Sequence, residues 1–101
     1  MDSSRIYYGG TFFNNNDLLD TNIKHKIELE YYKTNNCIKE NSESYGVEVI
    51  KKEYVSDKVY IEKNNIKNIT KDENRANEIL EKLKKFKVTP IALQDVVDDL
   101  M

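Results

Sequence analysis

The stretch YGVEVIKKEYVSDKVYIEK, residues 45–63, predicts two strands joined by a tight connection. Val47 and Val49 alternate with polar residues as in a half-buried strand, and KVYIEK repeats the alternation after the turn formers SDK. Such a short connection favours antiparallel pairing, because parallel strands need a long crossover. The change of parity from Val49 to Ile50 leaves two interpretations open, a bulge or a strand with two buried faces.

The segment before this pair predicts one further strand. From Lys26 the sequence KIELEYY has period two and places Ile27, Leu29 and Tyr31 on one face. A polar loop over residues 35–44 follows, and it contains the single cysteine, Cys37. We therefore expect a three-stranded antiparallel meander that starts near residue 26.

Residues 1–25 differ from the rest because turn formers separate short apolar pieces without a sustained period. Two interpretations are open for this N-terminal arm. It is a flexible tail, or it adds a hairpin in which the two glycines of IYYGGTFF, residues 6–13, form the turn. The predicted domain organisation is an arm over residues 1–25 and a single small α+β domain over residues 26–101.

Two helices are predicted after the strands. Thr70 and Glu73 have the spacing of a capping box at the start of the first helix. Thr89 can cap the second helix, with Pro90 at its first position. The apolar positions of the second helix fall on one side and dock it beside the first: Leu93, Val96, Val97 and Leu100. The predicted fold is therefore α+β with the order β-β-β-α-α, the two helices packing on one face of the sheet.

Composition excludes several classes of protein. With 101 residues the chain holds one small domain and no large internal cavity. It contains no apolar run long enough to cross a bilayer and no signal-peptide pattern at its N-terminus, so we expect a cytoplasmic protein without membrane contact. A single cysteine excludes an internal disulfide and a cysteine-based zinc site.

Residues that could carry chemistry are few. His25 is the only histidine and lies in the arm, so no catalytic constellation is predicted around it. Three glycines are too few and too scattered for a nucleotide-binding loop. Asp95, Asp98 and Asp99 share a helix face, but three carboxylates do not supply the oxygens that Ca²⁺ requires. We therefore predict no catalytic residue, no metal, no cofactor and no enzymatic activity.

Nucleic-acid binding is the main competing prediction. Tyr32, Tyr54 and Tyr60 fall on the sheet face away from the helices, where stacking aromatics lie in single-strand binders. The charges predicted for that face are mostly negative, whereas a binding platform must neutralise phosphates. They are Glu28, Glu30, Glu48 and Glu62 against Lys52 and Lys58. A lysine-rich helix end offers weak nucleic-acid binding as an alternative: Lys82, Lys84, Lys85 and Lys87.

Three segments carry a resemblance to a known family. YGVEVIKKE, then KNIT followed by KDE, and finally KVTPIALQDVVDDL occur in an order similar to that of a group of small uncharacterised clostridial proteins with a domain of unknown function. The resemblance covers roughly residues 27–101, and the VTP segment with its acidic helix is its most specific part. It implies a fold and a bacterial origin, and it assigns no functional residue.

These observations favour a non-catalytic interaction or regulatory protein whose partner is an unidentified protein, because binding needs only a surface whereas catalysis needs convergent groups. The alternatives are the weak nucleic-acid binder and a small enzyme. The sequence leaves the oligomeric state open. The candidate partner surface comprises acidic residues of the last helix and apolar or aromatic residues of the sheet: Asp95, Asp98, Asp99, Tyr32, Ile50, Tyr54 and Tyr60.

Overall fold

The computed structural model describes residues 2–13, 25–39 and 42–101. The elements follow in the order β1 (Asp2–Phe12), β2 (Lys26–Lys39), β3 (Ser42–Val55), β4 (Lys58–Thr70), α1 (Glu73–Lys85) and α2 (Leu93–Leu100). The four strands form one antiparallel sheet in the order β1-β2-β3-β4. In the part of the chain described, neither helix is long and apolar enough to span a lipid bilayer.

The predicted three-stranded sheet is wrong, although the α+β class and the pair of helices after the strands are confirmed. Residues 2–12 of the predicted arm form an additional edge strand, which pairs with β2 over its whole length. Gly9 and Gly10 lie within this strand, opposite Tyr31 and Glu30, so they do not form the turn of a separate hairpin. A bulge at Tyr8 shifts the register and hides the period-two signal. The rest of the arm, residues 14–24, lies outside the described residues.

The strands are also longer than predicted. β2 runs to Lys39 and β3 begins at Ser42, so most of the predicted polar loop over residues 35–44 is paired strand, the backbone of Cys37 included. Strand β4 continues to Thr70, with an irregularity after Ile66 where Asn68 has a positive φ of 58°. The strand passes close to Gly46 here, because a Cβ at that position would lie 2.2 Å from the Ile66 carbonyl oxygen.

The hydrophobic core lies between the sheet and the two helices. Leu29, Tyr31, Val47 and Val49 supply the sheet side, as the alternation predicts. The helical side consists of residues from α1, the connection and α2: Ile79, Leu80, Leu83, Val88, Leu93 and Val97. Ile50 points to the opposite face, yet only 8% of it is exposed. Of the two interpretations of the parity change, a strand with two buried faces is therefore the one observed.

The helix caps differ from the predicted ones. Asp72 caps α1 by accepting a hydrogen bond from the Asn74 backbone N–H at 2.9 Å, whereas the Thr70 hydroxyl accepts from the backbone N–H of Asp72. Helix α2 starts only at Leu93, after a turn in which the Thr89 carbonyl accepts from the Ala92 N–H, and it has no side-chain cap. The prediction that Thr70 and Thr89 cap the helices is therefore wrong. The N-cap residues are Asp72 and Ala92, two and three positions further along the chain.

Tyr31 connects the sheet to the segment between the helices. Its side chain is completely buried, and its hydroxyl donates a hydrogen bond of 2.9 Å to the carbonyl oxygen of Val88. Burial raises the pKa of this phenol, because the ionised form would lose its hydration. The bond fixes the start of the connection to α2, while Arg75 of α1 donates to the Leu100 carbonyl at the far end of α2. The two helices therefore form an antiparallel pair.

A row of charged side chains joins the strands near the tip of the β3–β4 hairpin, on the same face as the helices. Glu53 accepts from Lys51 Nζ at 2.9 Å and contacts His25 Nε2 at 2.8 Å. Lys51 also lies 3.6 Å from Glu62 of β4. The hydrogen bond from Lys51, followed by that from His25, lowers the pKa of Glu53 below its ordinary value of 4.5.

We expect Tyr31→Phe to destabilise the fold by about 1–3 kcal/mol, because the buried Val88 carbonyl loses its hydrogen-bond donor. Urea denaturation at neutral pH measures the loss. Tyr60→Phe is the matched control, since the Tyr60 ring is exposed, and it is expected to unfold like wild type. Equal midpoints for wild type and Tyr31→Phe would show that this bond does not contribute to stability.

We expect Glu53→Gln to lower the free energy of unfolding at neutral pH. Because the pKa of Glu53 is lowered in the folded state, its stabilisation is complete above pH 4.5 and is lost as the pH falls through the folded-state value. The difference between wild type and Glu53→Gln should therefore shrink in acid. Glu78→Gln, on the exposed side of α1, is the control for loss of charge. A difference that stays constant from neutral to acid pH would contradict the ion-pair assignment.

Candidate functional site

The face of the sheet opposite the helices, which we call the open face, carries a connected group of aromatic and charged side chains. Since Leu29 and Tyr31 point toward the helices, the alternating residues between and after them point away. The register then places Tyr32 opposite Glu48 and Glu28 opposite Lys52. No helix among the described residues covers this face.

A group of four residues on the open face forms what we call the tyrosine patch: Arg5, Tyr7, Tyr32 and Glu48. Arg5 Nη1 lies 2.8 Å from Glu48 Oε1, and its guanidinium carbon lies 4.3 Å from the centre of the Tyr32 ring. The rings of Tyr7 and Tyr32 pack edge to face at 5.5 Å with an interplanar angle of 70°. The hydrogen bond to Glu48 raises the pKa of Arg5, so the guanidinium stays charged at any pH of interest.

The tyrosine patch continues into a second ion pair. The Tyr32 hydroxyl donates a hydrogen bond of 3.2 Å to Glu30, and Lys52 Nζ lies 3.2 Å from the same carboxylate. Burial, and then the neighbouring Glu30 carboxylate, raise the pKa of Tyr32. The ring of Tyr32 is therefore held on one side by Arg5 and Tyr7 and at its hydroxyl end by Glu30. A side chain with so many contacts has little rotamer freedom left to lose on binding.

The absence of a side chain at Gly10 leaves space for the Tyr7 ring to lie along its own strand. A Cβ atom at Gly10 would come within 2.8 Å of the Tyr7 hydroxyl oxygen. A larger residue at this position would push the hydroxyl end of the ring aside. The glycine of β1 therefore contributes to the shape of the tyrosine patch.

A second aromatic group lies on the open face nearer the ends of β1 and β3. The Tyr54 hydroxyl donates a hydrogen bond of 2.8 Å to Glu28, and this hydrogen bond raises the pKa of the phenol. Lys26 Nζ lies 4.6 Å from the ring centre of Phe12 and 5.4 Å from that of Tyr54. Both aromatic groups of the open face thus combine rings with charged groups of either sign.

The predicted sheet residues of the partner surface are only partly brought together. Tyr32 and Tyr54 share the open face, and Ile50 lies between them in the sheet, but its burial leaves it little contact with solvent. Tyr60 pairs with Glu53 and so lies on the helix-side face. The predicted sharing of one face by Tyr32, Tyr54 and Tyr60 is therefore wrong, and Glu62 also lies on the face opposite to the one predicted.

The predicted acidic residues lie on a separate surface. Asp95, Asp98 and Asp99 are exposed on α2, in the helical layer, on the other side of the sheet from the tyrosine patch. Gln94 donates a hydrogen bond of 2.9 Å to Asp98. The lysine-rich end of α1 lies at the opposite end of the antiparallel helix pair from Asp98 and Asp99. A single partner that contacts both the acidic face and the tyrosine patch would have to reach around the molecule.

Potential metal ligands do not cluster in the described residues. Within them, no group of three or more histidine, cysteine, aspartate or glutamate side chains could hold a metal ion. His25 contacts Glu53, which also accepts from Lys51, so the carboxylate beside the imidazole is held in an ion pair. A shallow depression of about 310 Å³ beside β4 is lined by Glu62, Lys63, Asn64, Pro90 and Ile91. Its lining contains no histidine, cysteine or serine.

Arg5 and Tyr7 are the site residues that the sequence analysis missed. Both lie in the segment interpreted as an arm. Their alternation with Ile6, which points to the other face, is a period-two signal, but it covers three residues before the bulge at Tyr8 interrupts it. A search for short alternating runs beside glycines would have detected it.

Comparison with known proteins gives a family and no activity. No curated protein and no solved structure matches the chain. The model of a family described as a family of unknown function (DUF6514) matches residues 11–101, which include Tyr32 and Glu48 of the tyrosine patch but not Arg5 and Tyr7. Because the match extends over most of the sequence, the chain belongs to the DUF6514 family of unknown function.

Proposed function

We propose that this protein is a non-catalytic interaction protein and that it binds a partner protein through the tyrosine patch. The observation that carries the proposal is the position of Arg5, Tyr7 and Tyr32, which interlock on a sheet face that no described helix covers. Tyr7 is 55% exposed, so a large part of its ring is available for contact.

The residue types of the tyrosine patch support this proposal. Tyrosine and arginine are enriched among the residues that dominate binding energy in protein interfaces, because each combines a large contact area with a polar end. Here their side chains are already ordered by contacts with Glu48 and Glu30. Association therefore costs less conformational entropy than it would for free side chains.

The charges next to the tyrosine patch favour a protein over a nucleic acid. Arg5 and Lys52 are each paired with a carboxylate of the same face, Glu48 and Glu30 respectively. A phosphate backbone would have to approach these carboxylates and compete for the two cations. A segment with apolar or neutral polar side chains meets the rings without breaking either pair. The partner expected here is therefore a protein segment of low net charge.

The other functional predictions made from the sequence are unchanged. The lysine-rich end of α1 remains the alternative site for weak nucleic-acid binding, and a small enzyme remains the less favoured alternative. A clostridial origin and a cytoplasmic location stay predictions. The acidic face of α2 stays a candidate second contact for a basic partner, where complementary charge would raise the association rate.

We expect Tyr7→Ala to weaken capture of the partner by about tenfold or more, as for a residue that dominates an interface. Affinity capture from a nuclease-treated lysate of the source organism, quantified by mass spectrometry, compares wild type with this variant. Ile6→Ala is the matched control, because Ile6 is 52% exposed on the same strand but faces the other way. It should capture the same partner as wild type.

Two results would contradict the proposal. Equal capture by Tyr7→Ala and Ile6→Ala would show that the tyrosine patch does not bind the partner. Capture that disappears on nuclease treatment would show that nucleic acid mediates it. Thermal melting of both variants establishes that each is folded before capture is compared.

A further inference from the structure

The edge of the sheet at β4 carries an exposed apolar segment. We call Lys58–Glu62 the hairpin edge. Three consecutive residues within it are large, apolar and exposed: Val59 at 49%, Tyr60 at 55% and Ile61 at 60%. Among the described residues no strand lies beyond β4, and such an apolar run on an edge strand is a template for pairing with another chain.

Other edges of the sheet are interrupted, but the hairpin edge is regular. The bulge at Tyr8 breaks the outer edge of β1, and the irregularity around Asn68 breaks the second half of β4. Between the hairpin turn and the irregularity around Asn68, β4 pairs with β3 in continuous register from Lys58 to Ile66. The part of the edge that is geometrically able to pair is therefore also the part that is apolar.

The sequence of the hairpin edge is complementary to itself when it is read in reverse. If Tyr60 lies opposite Tyr60 of a second copy, then Val59 lies opposite Ile61 and Lys58 lies opposite Glu62, and symmetry repeats both pairs. Just outside the hairpin edge, Asp57 meets Lys63 in the same register. Opposite charges directly across an antiparallel pair stabilise it, and so do apolar pairs.

Neighbouring registers lack this complementarity. A slip by one residue in one direction places Lys58 opposite Lys63, and a slip in the other direction places Asp57 opposite Glu62. Like charges directly opposite one another destabilise a strand pair. Slips by one residue are therefore disfavoured by charge, and a slip by two residues loses the pairing of Val59 with Ile61 and of Lys58 with Glu62.

We propose that two copies of this chain associate through their hairpin edges, antiparallel and centred on Tyr60, to form a continuous sheet across a symmetric dimer. A closed dimer of this kind requires a self-complementary surface, which the hairpin edge provides. Glu62 is half exposed and its contact with Lys51 is long at 3.6 Å, so its carboxylate can accept a bond from Lys58 of the second copy. The dimer uses residues outside the tyrosine patch, and it stands independently of the function proposed above.

Charge reversal tests the register. Lys58→Glu places a carboxylate opposite Glu62 of the second copy, and Glu62→Lys places an ammonium opposite Lys58. Because symmetry repeats each unfavourable pair, either variant should dimerise about tenfold or more weakly than wild type. Sedimentation velocity over a wide range of protein concentration measures this. Lys82→Glu and Glu78→Lys on α1 change the charge equally and should dimerise like wild type.

Mixing provides the decisive result. In an equimolar mixture of Lys58→Glu and Glu62→Lys, each introduced charge meets an opposite charge, so the two variants should form a heterodimer although each alone is mainly monomeric. The double variant Lys58→Glu/Glu62→Lys should likewise regain self-association. The proposal is overturned if wild type stays monomeric at all concentrations, if the single variants dimerise like wild type, or if neither the mixture nor the double variant associates.

Discussion

The arrangement of the whole chain depends on the burial of Tyr31 in the middle of β2. A phenol without solvent contact needs a hydrogen-bond partner, and Tyr31 finds it in the carbonyl of Val88, just after α1. This bond anchors the connection over the sheet, and Asn64 of β4 anchors its next part by donating to the Pro90 carbonyl at 3.1 Å. Helix α2 must then return beside α1. Both helices consequently cover the same face.

Because both helices pack on the other face, the open face is stabilised by contacts among its own side chains. Glu48 lies on central strand β3 with only 8% of its surface exposed, and a carboxylate in that position needs a counter-charge. Arg5 of β1 supplies it and at the same time covers Tyr32. Strand β1, which the sequence predicted to be an arm, therefore supplies the positive charge that pairs with Glu48 on the central strand β3. The same contacts order the rings that we propose as a binding surface.

Much of the fold follows from period and composition, and the failures have physical causes. Ile27, Leu29 and Tyr31 form a buried face that the alternation predicts, and the two predicted helices are present. Strand β1 was missed because its bulge breaks the alternation after Tyr7. The face predicted for Tyr60 was wrong because the two-residue turn at Ser56 and Asp57 determines the register of β4 on β3. This register pairs Tyr60 with Glu53, which lies on the helix side. A sequence pattern gives the two faces of a strand, but not which of them meets the helices.

The candidate site was predictable only in part for the same reason. Tyr32 and Tyr54 were found because they lie on predicted strands, whereas Arg5 and Tyr7 depend on a strand that was not predicted. Ile50 was correctly placed on the open face, but its burial depends on neighbours such as Glu30 and Lys63 in the adjacent strands, which only the register reveals. The two exposed surfaces that result, the tyrosine patch and the hairpin edge, point to separate contacts in a family whose function is unknown.

Tyrosine side chains report directly on which parts of the sheet are covered, because the helices pack on the middle of one face around Tyr31 and leave the tyrosine patch on the other face open. Photochemically induced nuclear polarisation, measured by NMR at low protein concentration, detects which tyrosine rings a dissolved dye can reach. We expect strong signals from Tyr7 and Tyr60, which are each 55% exposed, and none from the buried Tyr31 and Tyr45. A signal from Tyr31, or the absence of one from Tyr7 in the folded monomer, would contradict this arrangement.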